Sequence, residues 1–257
     1  MNKNNFFTDA LLVHICEDRI ELGRLSAKAV CEKINDLFET KKEINILFAA
    51  APSQNEFLEA LIACKDIAWQ RINAFHMDEY IGLDYNAPQR FGNFLKERIF
   101  GSLPFKSVNY IEGNNIELEQ ECQRYSILLK KYPIDIACIG IGENGHLAFN
   151  DPKVADFHDD KIVKIVALEE RSREQQVNDG CFSNISQVPR KALTLTIPAI
   201  MAAKFIVCMA PGLTKAEAVR NMLVGGISET CPASVLRLHE AANLYIDQNS
   251  SKLLIRG

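Results

Sequence analysis

The 257-residue chain has no apolar run of the ~18 residues a helix needs to cross a bilayer. Its eight cysteines include no Cys-x-x-Cys pair, which removes the usual spacing of a zinc site, so no metal is expected. It also lacks a clustered basic face. The net charge is −4 with both signs interspersed, which argues against nucleic acid as a partner. Linkers rich in Pro, Gly or Ser are missing, as are repeats, so one domain over residues 1–257 is expected. Residues 1–7 lack the apolar stretch of a signal peptide, and a cytoplasmic protein without membrane attachment is expected. In that setting all eight cysteines (16, 31, 64, 122, 138, 181, 208 and 231) are expected to be reduced, Cys138 and Cys208 as small buried hydrophobes.

What is present is enough apolar sequence, 47% of residues, for a sizeable core. Leu25, Ala29, Val30, Ile34, Leu37 and Phe38 recur at helical spacing across residues 21–41. Short apolar runs at 44–51, 72–76, 108–111, 134–139, 162–167, 192–196, 205–209 and 244–246 read as strands. Between them, helices are expected after Ser53 and at 91–100, 117–131, 197–203 and 215–224. Strands alternating with helices predict an α/β fold, a mainly parallel sheet with helices on both faces.

Chemistry-bearing residues cluster where predicted strands end. The densest segment is Ile134-Asp-Ile-Ala-Cys-Ile-Gly-Ile-Gly-Glu-Asn-Gly-His-Leu-Ala-Phe-Asn-Asp-Pro152. Glycines let a backbone turn sharply and approach a ligand, and a strand's carboxyl end is where α/β sheets bind ligands. His146 and Asp151 there form a candidate acid/base pair. No helix start or ribose-binding acid follows at the spacing of a dinucleotide fingerprint. Asp78 and Glu79 follow another strand, and two adjacent acids there are either solvated or used. His76 reads as a packed histidine. Ser53 either caps the next helix or, with Ala51 and Gln54, contacts an anion at its N-terminus. Lys215, near the start of the helix that Thr214 is placed to cap, opposes the helix dipole unless it faces an anion.

Together these segments resemble the glucosamine-6-phosphate deaminase (isomerase) family. The matching elements are Asp78-Glu79-Tyr80, Gly140-Ile-Gly-x-x-Gly-His-Leu-Ala-Phe-Asn150, Ala192-Leu-Thr-Leu-Thr196, Gly212 with Lys215, and Cys231-Pro-Ala-Ser-Val-Leu-Arg-Leu-His239. More distantly, the 6-phosphogluconolactonases share the Gly-Glu-x-Gly-His loop. The resemblance implies a single modified Rossmann-type domain without cofactor or metal, acting on a small sugar phosphate, and often a homo-oligomer. It implies that Asp78 moves a proton between C2 and C1, and that His146, supported by Asp151, opens the sugar ring. Asn144 would stand beside that histidine. Ala51, Ser53, Gln54, Glu79, Gly145 and Lys215 would contact the substrate.

The chain departs from the family pattern at four places. Asn144 replaces an aspartate, and Asp151 replaces a glutamate. Ala50-Ala-Pro-Ser-Gln54 replaces the phosphate loop, with Pro52 removing a backbone donor. Asp179 falls on the phosphate-binding arginine position, leaving Arg171 or Arg173 as substitutes. The expected function is deamination and isomerisation of glucosamine 6-phosphate or a related hexosamine phosphate. A sugar lactone hydrolase and a non-catalytic sugar-phosphate sensor are the alternatives.

Overall fold

The structure is a computed structural model that describes residues 5–254; residues 1–4, part of the segment read as lacking a leader, lie outside it. The chain opens with a hairpin, β1 (Asn5–Thr8) and β2 (Leu11–Cys16). Asp18 then caps α1 (Arg19–Thr40), its carboxylate accepting the Ile20 and Glu21 N–H groups at 2.9 and 2.8 Å. Next come β3 (Ile44–Phe48), α2 (Asn55–Ile62), β4 (Ile72–His76), β5 (Asp78–Tyr80) and α3 (Phe91–Leu95). A wider helical turn, Lys96–Phe100, extends α3. The middle of the chain forms β6 (Ser107–Asn109), α4 (Leu118–Lys131), β7 (Ile136–Gly140), β8 (Val163–Ala167) and α5 (Glu170–Asn178). It ends with β9 (Lys191–Leu195), α6 (Ile197–Met201), β10 (Phe205–Ala210), α7 (Ala216–Val224) and β11 (Ala242–Asp247).

Eight strands form one sheet in the order β1-β2-β11-β10-β7-β3-β4-β6, parallel except for β1. Its central strands are apolar on both faces because both faces are covered. Ile46, Phe48, Cys138, Val207 and Met209 pack with residues of α1, α2 and α3. Leu47, Phe75, Ile139 and Cys208 pack on the other face with α4, α6 and α7. The α/β architecture expected from the strand–helix alternation is therefore present.

Several elements differ from expectation. The hairpin β1–β2, strand β5 and helix α5 are additional. The runs at 162–167 and 192–196 leave the main sheet and pair with β5 in a separate antiparallel sheet, β5-β9-β8. The cysteines also need correction, because Cys31 and Cys64 form a disulfide, Cα–Cα 6.8 Å, while the other six are free. The cause is the close packing of α1 on α2, where Gly23 leaves no room for a Cβ against the Glu56 backbone. That contact brings together two thiols 33 residues apart in sequence.

Candidate active site

Strands β3, β4, β7 and β10 run parallel, so the loops beyond their carboxyl ends meet on one edge of the sheet. From β3 the sheet is extended one way by β4, and from β7 the other way by β10. The crevice at such a reversal is the usual ligand site of an open α/β sheet. Here it holds a partly open cleft whose wall includes Asp78, His146, Lys215, Ala51, Ser53 and Gln54. Sequence positions as far apart as Ala49 and Lys215 thus reach one cavity.

Asp78 begins β5, one residue beyond β4, and is 7% exposed. Burial, with the Glu79 carboxylate second, holds its carboxyl well above the usual carboxylate range. Its backbone is braced from behind by His76, whose Nδ1–H donates to the Asp78 carbonyl at 2.9 Å. His76 Nε2 accepts the Ile111 N–H at 2.9 Å, which fixes a neutral ring. Burial pushes the pKa of that imidazole down to about 4, so His76 is a packed brace, as expected.

Glu79 corrects the expectation that it contacts substrate. Its side chain is fully buried and lies off the cavity wall. One carboxylate oxygen accepts the Tyr80 and Phe91 N–H groups at 2.9 and 3.0 Å, and the other accepts the Gly92 N–H at 3.0 Å. It therefore anchors the N-terminus of α3, where a carboxylate satisfies orphan donors. Its pKa is pushed up to about 7 by burial, against those hydrogen bonds and the Arg90 charge.

His146 sits over Gly142, where any Cβ would run into the imidazole. Its Nδ1 lies 3.1 Å from Asp151 Oδ1 and 3.1 Å from Ser172 Oγ. Ser172 donates its own proton to Asp151 Oδ1, so Nδ1–H is shared between serine and carboxylate. Nε2 is then the ring nitrogen left for a ligand. Asn144 completes the cluster away from the cavity: its amide donates to Asp151 Oδ1 at 2.9 Å and accepts the His146 backbone N–H at 3.1 Å. Burial disfavours the Asp151 carboxylate. The hydrogen bond and charge of His146, then Asn144 and Ser172, outweigh burial and lower its pKa. Asp151 and Asn144 thus contact His146 and lie off the cavity wall.

Gly145 is not on the wall either. It takes φ +81°, and a Cβ there would meet Cys231 Sγ at 2.7 Å, so it is a turn residue rather than a substrate contact. Ser53 does not cap α2, and Thr214 does not cap α7. Instead Ser53 Oγ accepts from Gln54 Nε2 at 3.2 Å on the cavity wall. Gln54 Oε1 is buried without a partner. Lys215 ends the turn before α7 and is 5% exposed; burial lowers its pKa against the charges of Asp179 and Glu143. Arg173 is committed to the Ile185 and Val188 carbonyls, and exposed Arg171 reaches Glu217, so neither substitutes on the wall.

Sequence reasoning missed the part played by α5. Ser172, Gln175 and Gln176 are buried together, and the two glutamines line the cavity with Phe91 and Phe149. Their i, i+3, i+4 spacing places three polar side chains on one helix face. An inward polar stripe on a helix with almost no apolar residues was the available signal.

The family model for glucosamine-6-phosphate isomerases/6-phosphogluconolactonase matches residues 17–245. A glucosamine-6-phosphate deaminase of Lactobacillus delbrueckii subsp. bulgaricus is 31% identical over 240 residues, 93% of this chain and 98% of that protein. A monomeric glucosamine-6-phosphate deaminase of known structure superposes with a TM-score of 0.86 at 32% identity, covering 94% of this chain and 99% of its own. The 6-phosphogluconolactonase of Thermotoga maritima shares the fold with a TM-score of 0.75 at 19% identity, covering 92% and 99%. With its matched span including Asp78, His146, Asp151 and Lys215, the chain belongs to the glucosamine-6-phosphate isomerase/6-phosphogluconolactonase family.

Proposed function

We propose that the chain is an amino-sugar deaminase/isomerase that turns glucosamine 6-phosphate, or a closely related hexosamine phosphate, into the ketose phosphate and ammonia. The observation that carries this reading is one cavity lined by both Asp78, a carboxyl with a raised pKa, and His146, an imidazole with Nε2 free. His146 Nε2 takes the proton of the C1 hydroxyl and delivers it to the ring oxygen as the C1–O5 bond opens. Asp78 then takes the C2 proton and returns it at C1. With one amine proton passing to the C1 oxygen, the C1 aldehyde becomes a hydroxymethyl group and the C2 amine becomes an imine. Water hydrolyses that imine to the C2 ketone and releases ammonia. The chemistry is acid/base throughout and needs no cofactor, and a positioned acid or base contributes roughly 10²–10⁴-fold.

A glucosamine-6-phosphate deaminase of known structure is monomeric, and we take one copy as a complete catalytic unit. Ammonia release from glucosamine 6-phosphate by wild-type protein and D78N tests the assignment. The expected result is turnover lost in D78N with the fold intact. Wild-type-like ammonia release from D78N overturns it, and so does hydrolysis of 6-phosphogluconolactone in its place.

A further inference from the structure

We infer that the far end of the cavity selects an amino sugar whose C6 group carries a single negative charge, a carboxylate, over the phosphate dianion. The inference rests on the deaminase/isomerase reading and narrows it. With Asp78 assigned to C1 and C2 and His146 to the ring oxygen, Lys215, Gln54, Gln176 and Ser53 are the lining side chains left to meet the C6 group.

The charge on that wall is small. Among the described residues, Lys215 is the one lysine or arginine on the cavity, and it makes no ion pair. Arg173 and Arg171 are engaged elsewhere. Arg19 approaches the 49–54 loop only from outside, holding the Pro52 carbonyl at 3.2 Å and pairing with Glu56 at 2.6 Å. Directly behind the wall stands an opposing charge. Gln175, itself on the cavity, takes the Glu143 N–H on its carbonyl at 2.9 Å and donates to Asp179 Oδ2 at 3.3 Å. The Asp179 carboxylate is thus one amide away from the space a C6 group would fill.

The remaining donors are neutral. Gln54 is 1% exposed, with one end on Ser53 and the other unpartnered, and Gln176 forms no side-chain hydrogen bond within the described chain. The loop contributes fewer backbone donors than its length suggests. Pro52 has none, and the Gln54 N–H turns back onto the Ala51 carbonyl at 2.9 Å. One ammonium with neutral amides matches one negative charge. A phosphate monoester brings about −1.5 to −2 at neutral pH, and the excess would be buried one residue from Asp179.

Three amino sugars that differ only at C6 test this: glucosamine, 2-amino-2-deoxyglucuronate and glucosamine 6-phosphate, assayed for ammonia release. The aminouronate is expected to have the highest kcat/KM. D179N is expected to raise the phosphate-to-carboxylate ratio of kcat/KM by about tenfold or more, as removal of a nearby charge requires. K215M is expected to remove the advantage of the aminouronate over glucosamine. A wild-type preference for glucosamine 6-phosphate over the aminouronate overturns the inference while leaving the deaminase reading standing. Ammonia from none of the three overturns that reading instead. Titration calorimetry of the same sugars against the D78N protein then decides the charge preference by itself, and tighter binding of the phosphate, or no binding of the aminouronate, overturns it.

Discussion

Ser172 Oγ lies 3.1 Å from His146 Nδ1 while giving its own proton to the Asp151 carboxylate. The serine therefore holds the imidazole in the tautomer that presents Nε2 to the cavity. Replacing Ser172 with alanine leaves Asp151 and Asn144 in place, so kcat should fall by about tenfold, the worth of one buried hydrogen bond, with KM little changed. S172T should recover most of the loss. A fall in KM and kcat together, with no recovery in S172T, would mean that Ser172 only supports the fold.

In the proposed reaction Asp78 is a base and must be ionised, and its carboxyl is held well above the ordinary range by burial and by Glu79. The acid limb of kcat/KM should therefore lie above the ~4 of an unperturbed aspartate. Removing the neighbouring charge in E79Q should move that limb to lower pH. An acid limb that stays put in E79Q argues that another group titrates there.

The same substitution has a second readout in stability. Glu79 titrates near 7 when folded against 4.5 as its ordinary value, so the unfolded chain releases this proton first. Its contribution is greatest below about pH 4.5 and is lost as pH rises toward 7, on the order of 3 kcal/mol in all. Urea titrations from pH 4.5 to 7.5 should show wild-type stability declining relative to E79Q. Parallel curves would rule the effect out.

Gly142 lies under the His146 ring with no space for a Cβ. G142A should displace the imidazole and lower kcat at least about a hundredfold, in line with misplacement of a catalytic group by an ångström. Global stability should change far less, because the glycine has an ordinary negative φ. Circular dichroism melts with steady-state assays separate the two effects.

The Cys31–Cys64 bond closes a loop of 33 residues that contains β3 and the 49–54 segment. Closing such a loop restricts the unfolded chain by about 3–4 kcal/mol in the entropic model. Reduced protein should unfold at a clearly lower urea concentration than oxidised protein. Coincident midpoints would show that the bond contributes nothing to stability in solution.

The strands that carry the site were legible because a strand covered on both faces reads as an unbroken apolar run, as in residues 44–48 and 136–139. The motif residues Asp78, His146 and Lys215 were legible as polar groups at the ends of such runs. Glu79 was misread for a reason that adjacency hides: successive side chains of β5 point to opposite faces. Asp78 therefore enters the cavity while Glu79 reaches α3. Helix α5 escaped notice because its buried face is polar, with Ser172, Gln175 and Gln176 where a core helix shows leucine or valine. The disulfide escaped because contact between α1 and α2 is set by tertiary packing, which no local spacing of cysteines encodes.

Strand β9 touches both halves of the proposed machinery. Thr194 pairs with Asp78 in β5, and its hydroxyl accepts the Phe149 N–H at 3.1 Å, three residues past His146. The next residue, Leu195, takes the Met77 carbonyl on its N–H at 2.8 Å and the Asn150 amide on its own carbonyl at 2.8 Å. Base and imidazole are therefore mounted on one short beam, outside the eight-stranded sheet. Flexing or twisting of the large sheet should leave their separation nearly constant, whereas a register slip in β9 would move both at once. Transplanting the chemistry to another scaffold would require β5, β9 and the 141–150 loop as a single part.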